Sequence, residues 1–215
     1  VGSYADRGVV LHRMPERGGK TLGLNAGVER AHSEILVFSD ANIIYRPDAL
    51  RKLVRNFADP SVGCVTGDSR YEEFTQSAAH QEEDTYWGYE RFIRACERRI
   101  GSTVGGDGAI FAIRRALYRP LAHDAINDLV IPLRIVLEGH RAVFEPEAVG
   151  VEPSAGSFQR EFRRKRRIVN RSWRGVMGLR GVLSPLRSGV FAWQVWSHKV
   201  LRWLILPMVV VAGLG

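Results

Sequence analysis

The segment Ile35-Leu36-Val37-Phe38-Ser39-Asp40-Ala41-Asn42 constrains the fold of this chain more than any other. Four consecutive apolar residues read as a short buried strand. The strand ends in a carboxylate, and a second oxygen-bearing side chain follows two residues later. Polar groups at the carboxyl end of a buried strand are where open α/β sheets bind ligands. On an extended backbone, residues i and i+2 face the same way, so Asp40 and Asn42 would address one cation. Magnesium or manganese is the expected ion, because both take oxygen ligands and join a few protein groups to substrate phosphates. The same residues also read as a polar turn leading into the next helix.

The flanking sequence extends this pattern. Val9–His12 reads as a strand, Lys20–Ala31 as a helix of small residues, Pro47–Phe57 as a helix and Val62–Thr66 as a strand. Such alternation predicts an α/β domain with a parallel sheet. Residues 76–100 form a long polar-apolar stretch, predicted to be a helix whose Tyr86, Trp87, Tyr89, Phe92 and Ile93 enter the core. With 215 residues the chain is long enough for one such domain, and 45% hydrophobic residues exclude a disordered chain. Cys64 and Cys96 lack metal-ligand spacing and are expected to be reduced and buried, as suits a cytosolic face. No signal peptide is visible at the N-terminus. Gly18-Gly19-Lys20-Thr21 looks like the end of a phosphate-binding loop, but the glycine required five residues before the Gly-Lys pair is Met14. Lys20 is therefore a candidate contact to a nucleotide or phosphate outside such a loop, or an exposed lysine in a first helical turn.

Several of these segments, taken in order, resemble the family 2 glycosyltransferases. The resemblance rests on Gly19-Lys20-Thr21-Leu22-Gly23-Leu24-Asn25-Ala26-Gly27, on the strand closing at Asp40-Ala41-Asn42, and on Pro47-Asp48-Ala49-Leu50. Members of that family are inverting enzymes of the GT-A fold that use nucleotide-sugar donors. The resemblance implies a doubly wound, mostly parallel GT-A-like sheet, here without the N-terminal strand that holds much of the nucleotide's base. It implies donor contacts from Lys20, Asn25, Asp40 and Asn42, with Asn42 standing where the family's Asp-x-Asp pattern ends in aspartate. Gly105-Gly106-Asp107-Gly108 and the apolar strand after it match the segment bordering the donor sugar, which makes Asp107 a sugar contact or a turn aspartate. Ala125-Ile126-Asn127-Asp128 resembles the Glu-Asp motif whose aspartate is the catalytic base, with Asn127 in place of glutamate. Asp128 is also well suited to cap the following helix.

The run from Gln159 to Arg171, the net charge of +8 and a pI near 10.0 suit an anionic partner. In processive members of the family a Gln-x-x-Arg-Trp motif lies here. Arg164 stands at its glutamine, Arg167 at its arginine and Ile168 at its tryptophan. Arg164 and Arg167 are thus candidate diphosphate contacts, since a guanidinium grips phosphate with a planar fork. Phe191, Trp193, Trp196 and Trp203 surround Lys199 and Arg202, as in an interfacial belt, and the apolar run from Trp203 reads as the start of a transmembrane helix. A buried core helix is the alternative for that run. Three regions are expected: residues 1–156 as a catalytic domain incomplete at its N-terminus, 157–188 as a basic amphipathic segment, and 189–215 as an interfacial and incipient transmembrane helix. The expected protein sits at the inner (plasma) membrane with its catalytic domain cytoplasmic. Its expected partners are a UDP-sugar, a glycan or lipid acceptor and the membrane, with no nucleic acid. The rival expectation is a non-catalytic basic module that binds anionic polymers.

Overall fold

The framework of the computed structural model, which describes residues 2–71, 78–152 and 158–205, is one five-stranded sheet. Its strands are β1 (Ile35–Ser39), β2 (Ile44–Tyr45), β3 (Val62–Tyr71), β4 (Ile110–Arg114) and β5 (Arg141–Glu152). They lie in the order β1-β4-β3-β5-β2. β4 runs antiparallel to both of its neighbours, β2 runs antiparallel to β5, and only β3 and β5 pair in parallel. The sheet is therefore mixed, not mostly parallel. The alternation of strands and helices correctly makes β1 and β3 run the same way. It gives neither β5 nor the place of β4, the expected apolar strand after Gly108, which inserts antiparallel between β1 and β3.

Seven α-helices accompany the sheet among the described residues: α1 (Gly19–Arg30), α2 (Ala49–Arg55), α3 (Ala78–Ile100), α4 (Asn127–Leu137), α5 (Phe158–Gly178), α6 (Pro185–Ser188) and α7 (Val190–Val195). α7 runs on through a π-helical turn, Trp196–Val200, into helix to residue 205. Val9–His12 is not a strand. It is irregular and exposed, and β1, the strand at that side of the sheet, pairs only with β4 among the described residues.

Two apolar clusters fill the space around the sheet. Leu36, Phe38, Phe111, Ile113, Ile131 and Ile135 pack on the side of α1 and α4. Leu53, Phe57, Val65, Ile110 and Val143 pack on the side of α2. The alternation of Leu36 and Phe38 inward with Val37 outward is what a half-buried strand requires. A third cluster, with Val104, Leu129, Leu133, Val176, Phe191 and Val195, joins α5 and α7 to α4. α3 inverts the expected burial. Tyr89 and Phe92 are exposed, whereas Glu90, Arg94 and Glu97 are buried. Spacings of four and three residues put these three charges on one helical stripe, and that stripe faces the C-terminal helix. No helix among the described residues is long and apolar enough to cross a membrane.

Candidate active site

The carboxyl end of β1, the start of α1, the loop before β4 and the start of α4 converge on one place. Lys20, in the first turn of α1, forms an ion pair with Asp40 and donates to the carbonyl of Gly108 at 3.2 Å. This links the two loops that follow β1 and precede β4. Asp40 itself is followed by a turn, not by extended chain, and the Ile43 N–H donates to the Asp40 carbonyl at 3.5 Å. The extended backbone on which Asp40 and Asn42 were expected to face one ion is therefore absent. Asn42 instead donates to Glu152 Oε2 at 3.4 Å, across 110 residues of sequence.

The loop before β4 is built tightly. Asp107 Oδ2 accepts from the Ser69 N–H (3.0 Å) and hydroxyl (2.6 Å), and Oδ1 accepts from the Ala109 N–H (3.1 Å). The Asp107 N–H donates to Thr66 Oγ1 at 2.6 Å. β3 presents Thr66 and Ser69 at this spot because its pairing with β5 slips between Thr66 and Asp68. At Gly67 the chain passes so close to the Ala148 carbonyl that a Cβ would lie 2.5 Å from it. Irregularities of this kind re-aim side chains next to functional sites. Asp107 thus has the turn role, and its carboxylate charge remains at the edge of the site.

Asp128 lies in the first turn of α4, but the capping position belongs to Ile126, so Asp128 is not the cap. Pro132 explains the local geometry. A proline inside a helix removes the N–H that would bond the carbonyl four residues earlier. That carbonyl is Asp128's, and the Gly106 N–H takes it at 2.5 Å. Gly106 and Gly108 both lie against Asp128. A Cβ on Gly108 would sit 3.0 Å from Asp128 Oδ2, and one on Gly106 would sit 3.2 Å from its carbonyl. The other carboxylate oxygen, Oδ1, is buried without a hydrogen-bond partner. Burial pushes the Asp128 carboxyl above the usual carboxylate range, with Lys20 opposing and the charge of Asp107 adding to the rise. A desolvated carboxylate with a free oxygen, held at the end of a rigid element, is equipped to take a proton.

Glu152 was not legible in the sequence. Burial raises its carboxyl, the charges of Asp107 and Asp40 raise it further, and Arg164 lowers it. Arg164 therefore borders this acidic group, whereas Arg167 is simply exposed on the same helix. The Asn25 side chain is largely engaged within the protein. Its oxygen accepts from the Tyr118 hydroxyl (2.6 Å) and the Leu121 N–H (3.0 Å), and its nitrogen donates to the Leu121 carbonyl (2.9 Å). Together with Thr21, which donates to the Ala125 carbonyl at 3.1 Å, it fastens α1 to the loop leading to Asp128. Asn25 thus braces α1 against that loop.

Asp40 fits a hard divalent ion. Its carboxylate is partly exposed and already faces a cation, the Lys20 ammonium, and the carboxylates of Asp107 and Glu152 lie near enough to act on one another. Among the described residues no three His, Cys, Asp or Glu side chains converge as a metal cage. Hard divalent ions of this kind are commonly bound through one or two carboxylates together with substrate phosphates.

A mixed sheet with acidic groups gathered where the β1 and β4 loops meet α4 is the GT-A arrangement of a glycosyltransferase. The chain belongs to the family described as glycosyltransferase like family 2, whose model matches residues 1–171. It is 24% identical over 141 residues to the poly-beta-1,6-N-acetyl-D-glucosamine synthase of Staphylococcus aureus, covering 63% of this chain and 34% of that protein. It is 23% identical over 159 residues to an N-acetylglucosaminyltransferase of Rhizobium sp., covering 64% of this chain and 34% of that protein. The chain thus spans about a third of the length of these relatives. Among solved structures, a mannosyltransferase from Pyrobaculum calidifontis in complex with GDP-Man and Mn2+ superposes with a TM-score of 0.69 at 24% identity. The match covers 90% of this chain and 54% of that one.

Proposed function

We propose that the chain is the catalytic part of an inverting transferase that moves a sugar from a nucleoside diphosphate donor to a hydroxyl of a glycan or lipid acceptor. The buried, unpartnered Oδ1 of Asp128 carries this reading. Asp128 accepts the proton of the acceptor hydroxyl as that oxygen attacks the anomeric carbon from the side opposite the leaving diphosphate. The new carbon–oxygen bond forms as the bond to the diphosphate oxygen breaks, and the configuration inverts. Lys20 and Asp40 face the diphosphate, and Arg164 and Arg167 approach it from α5. A bound magnesium or manganese ion, held by Asp40, would neutralise charge on the leaving diphosphate. Gly106 and Gly108 leave room at the carboxylate, and the Asp107 turn holds their loop in place.

The donor class favoured is a UDP-sugar. N-acetylglucosamine is the first sugar to test, because both named bacterial relatives carry it in their names. The proposed setting is the inner membrane, with the catalytic domain on the cytoplasmic face. Trp193 and Trp196 are exposed on the C-terminal helix, as interfacial anchors are. A cavity of about 770 Å³ between α5 and the C-terminal helix, lined by Val169, Trp173, Trp203 and Leu204 with Arg166 and Arg174, suits the same surroundings. The test is to incubate the membrane-extracted full-length parent with a panel of UDP- and GDP-sugars. Nucleoside diphosphate release and the anomeric configuration of the product are then followed. Inverted product from at least one donor is expected. A retained configuration would overturn the mechanism, and salt-sensitive duplex binding without any transfer would favour the basic binding module.

A further inference from the structure

The buried charged stripe of α3 has no part in the chemistry described above, yet it reaches the loop against which Asp128 is set. Glu97 Oε2 accepts from the Thr103 hydroxyl and the Val104 N–H, both at 2.9 Å. Its other oxygen lies 2.7 Å from His198 Nδ1. His198 Nε2 lies 3.0 Å from Glu90 Oε2, and Arg202 bonds the second Glu90 oxygen. Two residues beyond Val104, Gly106 donates to the carbonyl of Asp128 that Pro132 leaves free. The loop 103–107 is therefore pinned at one end by Glu97 and at the other by the backbone of Asp128. His198 and Lys199 stand on the π-helical turn Trp196–Val200, and π-turns inside α-helices are frequent at functional sites. The Lys199 side chain passes under the loop, with its Cε 4.0 Å from where a Cβ on Gly105 would lie.

We propose that His198 and Lys199 are positioning residues for Asp128: His198 fixes Glu97 and so the height of loop 103–107, and Lys199 sets the electrostatic surroundings of the Asp128 carboxylate. The inference rests on Asp128 being the base. The groups facing Lys199 are Glu90, Arg94 and Glu97 from α3 and His198 and Arg202 from its own helix. Those facing Asp128 are Lys20 from α1, Asp107 from the loop and Lys199. Burial pushes the Lys199 ammonium down to about 8, with Arg94 and Arg202 lowering it and Glu90 and Glu97 opposing. It thus carries its charge throughout the range in which a carboxylate titrates. That charge favours the ionised form of Asp128. Two carboxylates, an imidazole and three cations gathered together (Glu90, Glu97, His198, Arg94, Lys199 and Arg202) also tie the C-terminal helix to the catalytic loop. A displacement of that helix would be transmitted to the base.

The experiment uses the full-length parent with a donor on which it is active and records kcat, donor KM and the pH profile of kcat. His198→Gln is expected to lower kcat about 10- to 100-fold while donor KM stays nearly unchanged, because a misplacement of about 1 Å can cost about 100-fold. Lys199→Met is expected to move the acidic limb of kcat to higher pH, because it removes a charge that holds the carboxylate ionised. Lys199→Arg should restore the limb. Thermal unfolding of each variant checks the fold. If His198→Gln does not fold, Lys199→Met with its arginine rescue decides. Wild-type kcat and an unmoved limb in both variants, with Asp128→Asn inactive, would overturn this inference alone. Transfer by Asp128→Asn would overturn the assignment of the base on which it rests.

Discussion

Asp128→Asn is the substitution that separates chemistry from architecture at this site. The side chain keeps its shape, and the backbone carbonyl that receives the Gly106 N–H is untouched. What is lost is a carboxylate with a buried, unpartnered oxygen. Positioned proton transfer contributes about 10²- to 10⁴-fold in rate. At least about 100-fold of that should disappear, which is about 2.7 kcal/mol of transition-state stabilisation at roughly 1.36 kcal/mol per factor of ten. In the wild type, activity should fall as pH drops through the raised value of this carboxyl, so the acidic limb lies above the ordinary carboxylate range. Stability should move the other way. A carboxyl raised in the folded state costs stability wherever it is ionised, and the cost disappears below its unfolded value. Asp128→Asn should therefore raise Tm at neutral pH and leave it unchanged at strongly acid pH. The assays are diphosphate release by the full-length parent at saturating donor and acceptor, and thermal unfolding at both pH values. Donor affinity by calorimetry should change little. Turnover within a fewfold of wild type, or a lower Tm at neutral pH, would refute the assignment.

Three further outcomes follow from the same geometry. Asp40→Ala should abolish metal-dependent binding of the nucleoside diphosphate to the full-length parent by calorimetry, and unchanged binding would remove Asp40 from the donor site. Asn25→Ala strips hydrogen bonds from Tyr118 and Leu121 and should destabilise the fold by about 1–3 kcal/mol in urea unfolding, with donor KM nearly unchanged; a large rise in donor KM at constant stability would return Asn25 to the donor site. Pro132→Ala restores a helical N–H that competes with Gly106 for the Asp128 carbonyl. It should lower kcat more than it alters donor binding, and an unchanged kcat would show that the loop does not depend on that bond.

What could be read from the sequence was local. Four apolar residues before Asp40 define β1 to the residue, because alternation and burial act along one strand. α1 is nearly as legible, whereas α4 starts earlier than the sequence suggests, with Ile126 and not Asp128 at the cap. The mixed sheet was not, because the partners of β4 lie about 45 and 75 residues back along the chain and nothing in Ile110–Arg114 states a direction. At Asn42 the sequence suggests an extended backbone, whereas the chain turns there and sends the amide nitrogen to Glu152. α3 was misread for a different reason. Aromatic residues are usually the buried ones, and a helix that exposes Phe92 while burying Glu97 can be recognised only when His198, a hundred residues on, is in place. One signal was available and unused: Pro132 in the α4 sequence marks Asp128 as the residue whose carbonyl is released.

Part of the basic charge of the chain is structural. Several arginines are clamps on the sheet, Arg114 and Arg141 at its end away from Asp40. Arg114 donates to the carbonyls of Val62 at 2.9 Å and Phe57 at 2.8 Å, and Arg141 donates to the carbonyl of Gly101 at 3.1 Å. Arg98 donates to the carbonyl of Phe144 at 2.8 Å, and Arg55 pairs with the buried Glu145 at 3.1 Å. A guanidinium with its donors bonded inside the protein offers few to a ligand, although it still counts in the net charge. Of the cations at the opposite end, Lys20 pairs with Asp40, and Arg164 borders Glu152. There the positive groups alternate with Asp40, Asp107 and Glu152 over a few side chains. A long anionic polymer would meet those carboxylates as repulsion. A compact diphosphate carrying its own divalent ion would meet cations and carboxylates in turn, and can satisfy both.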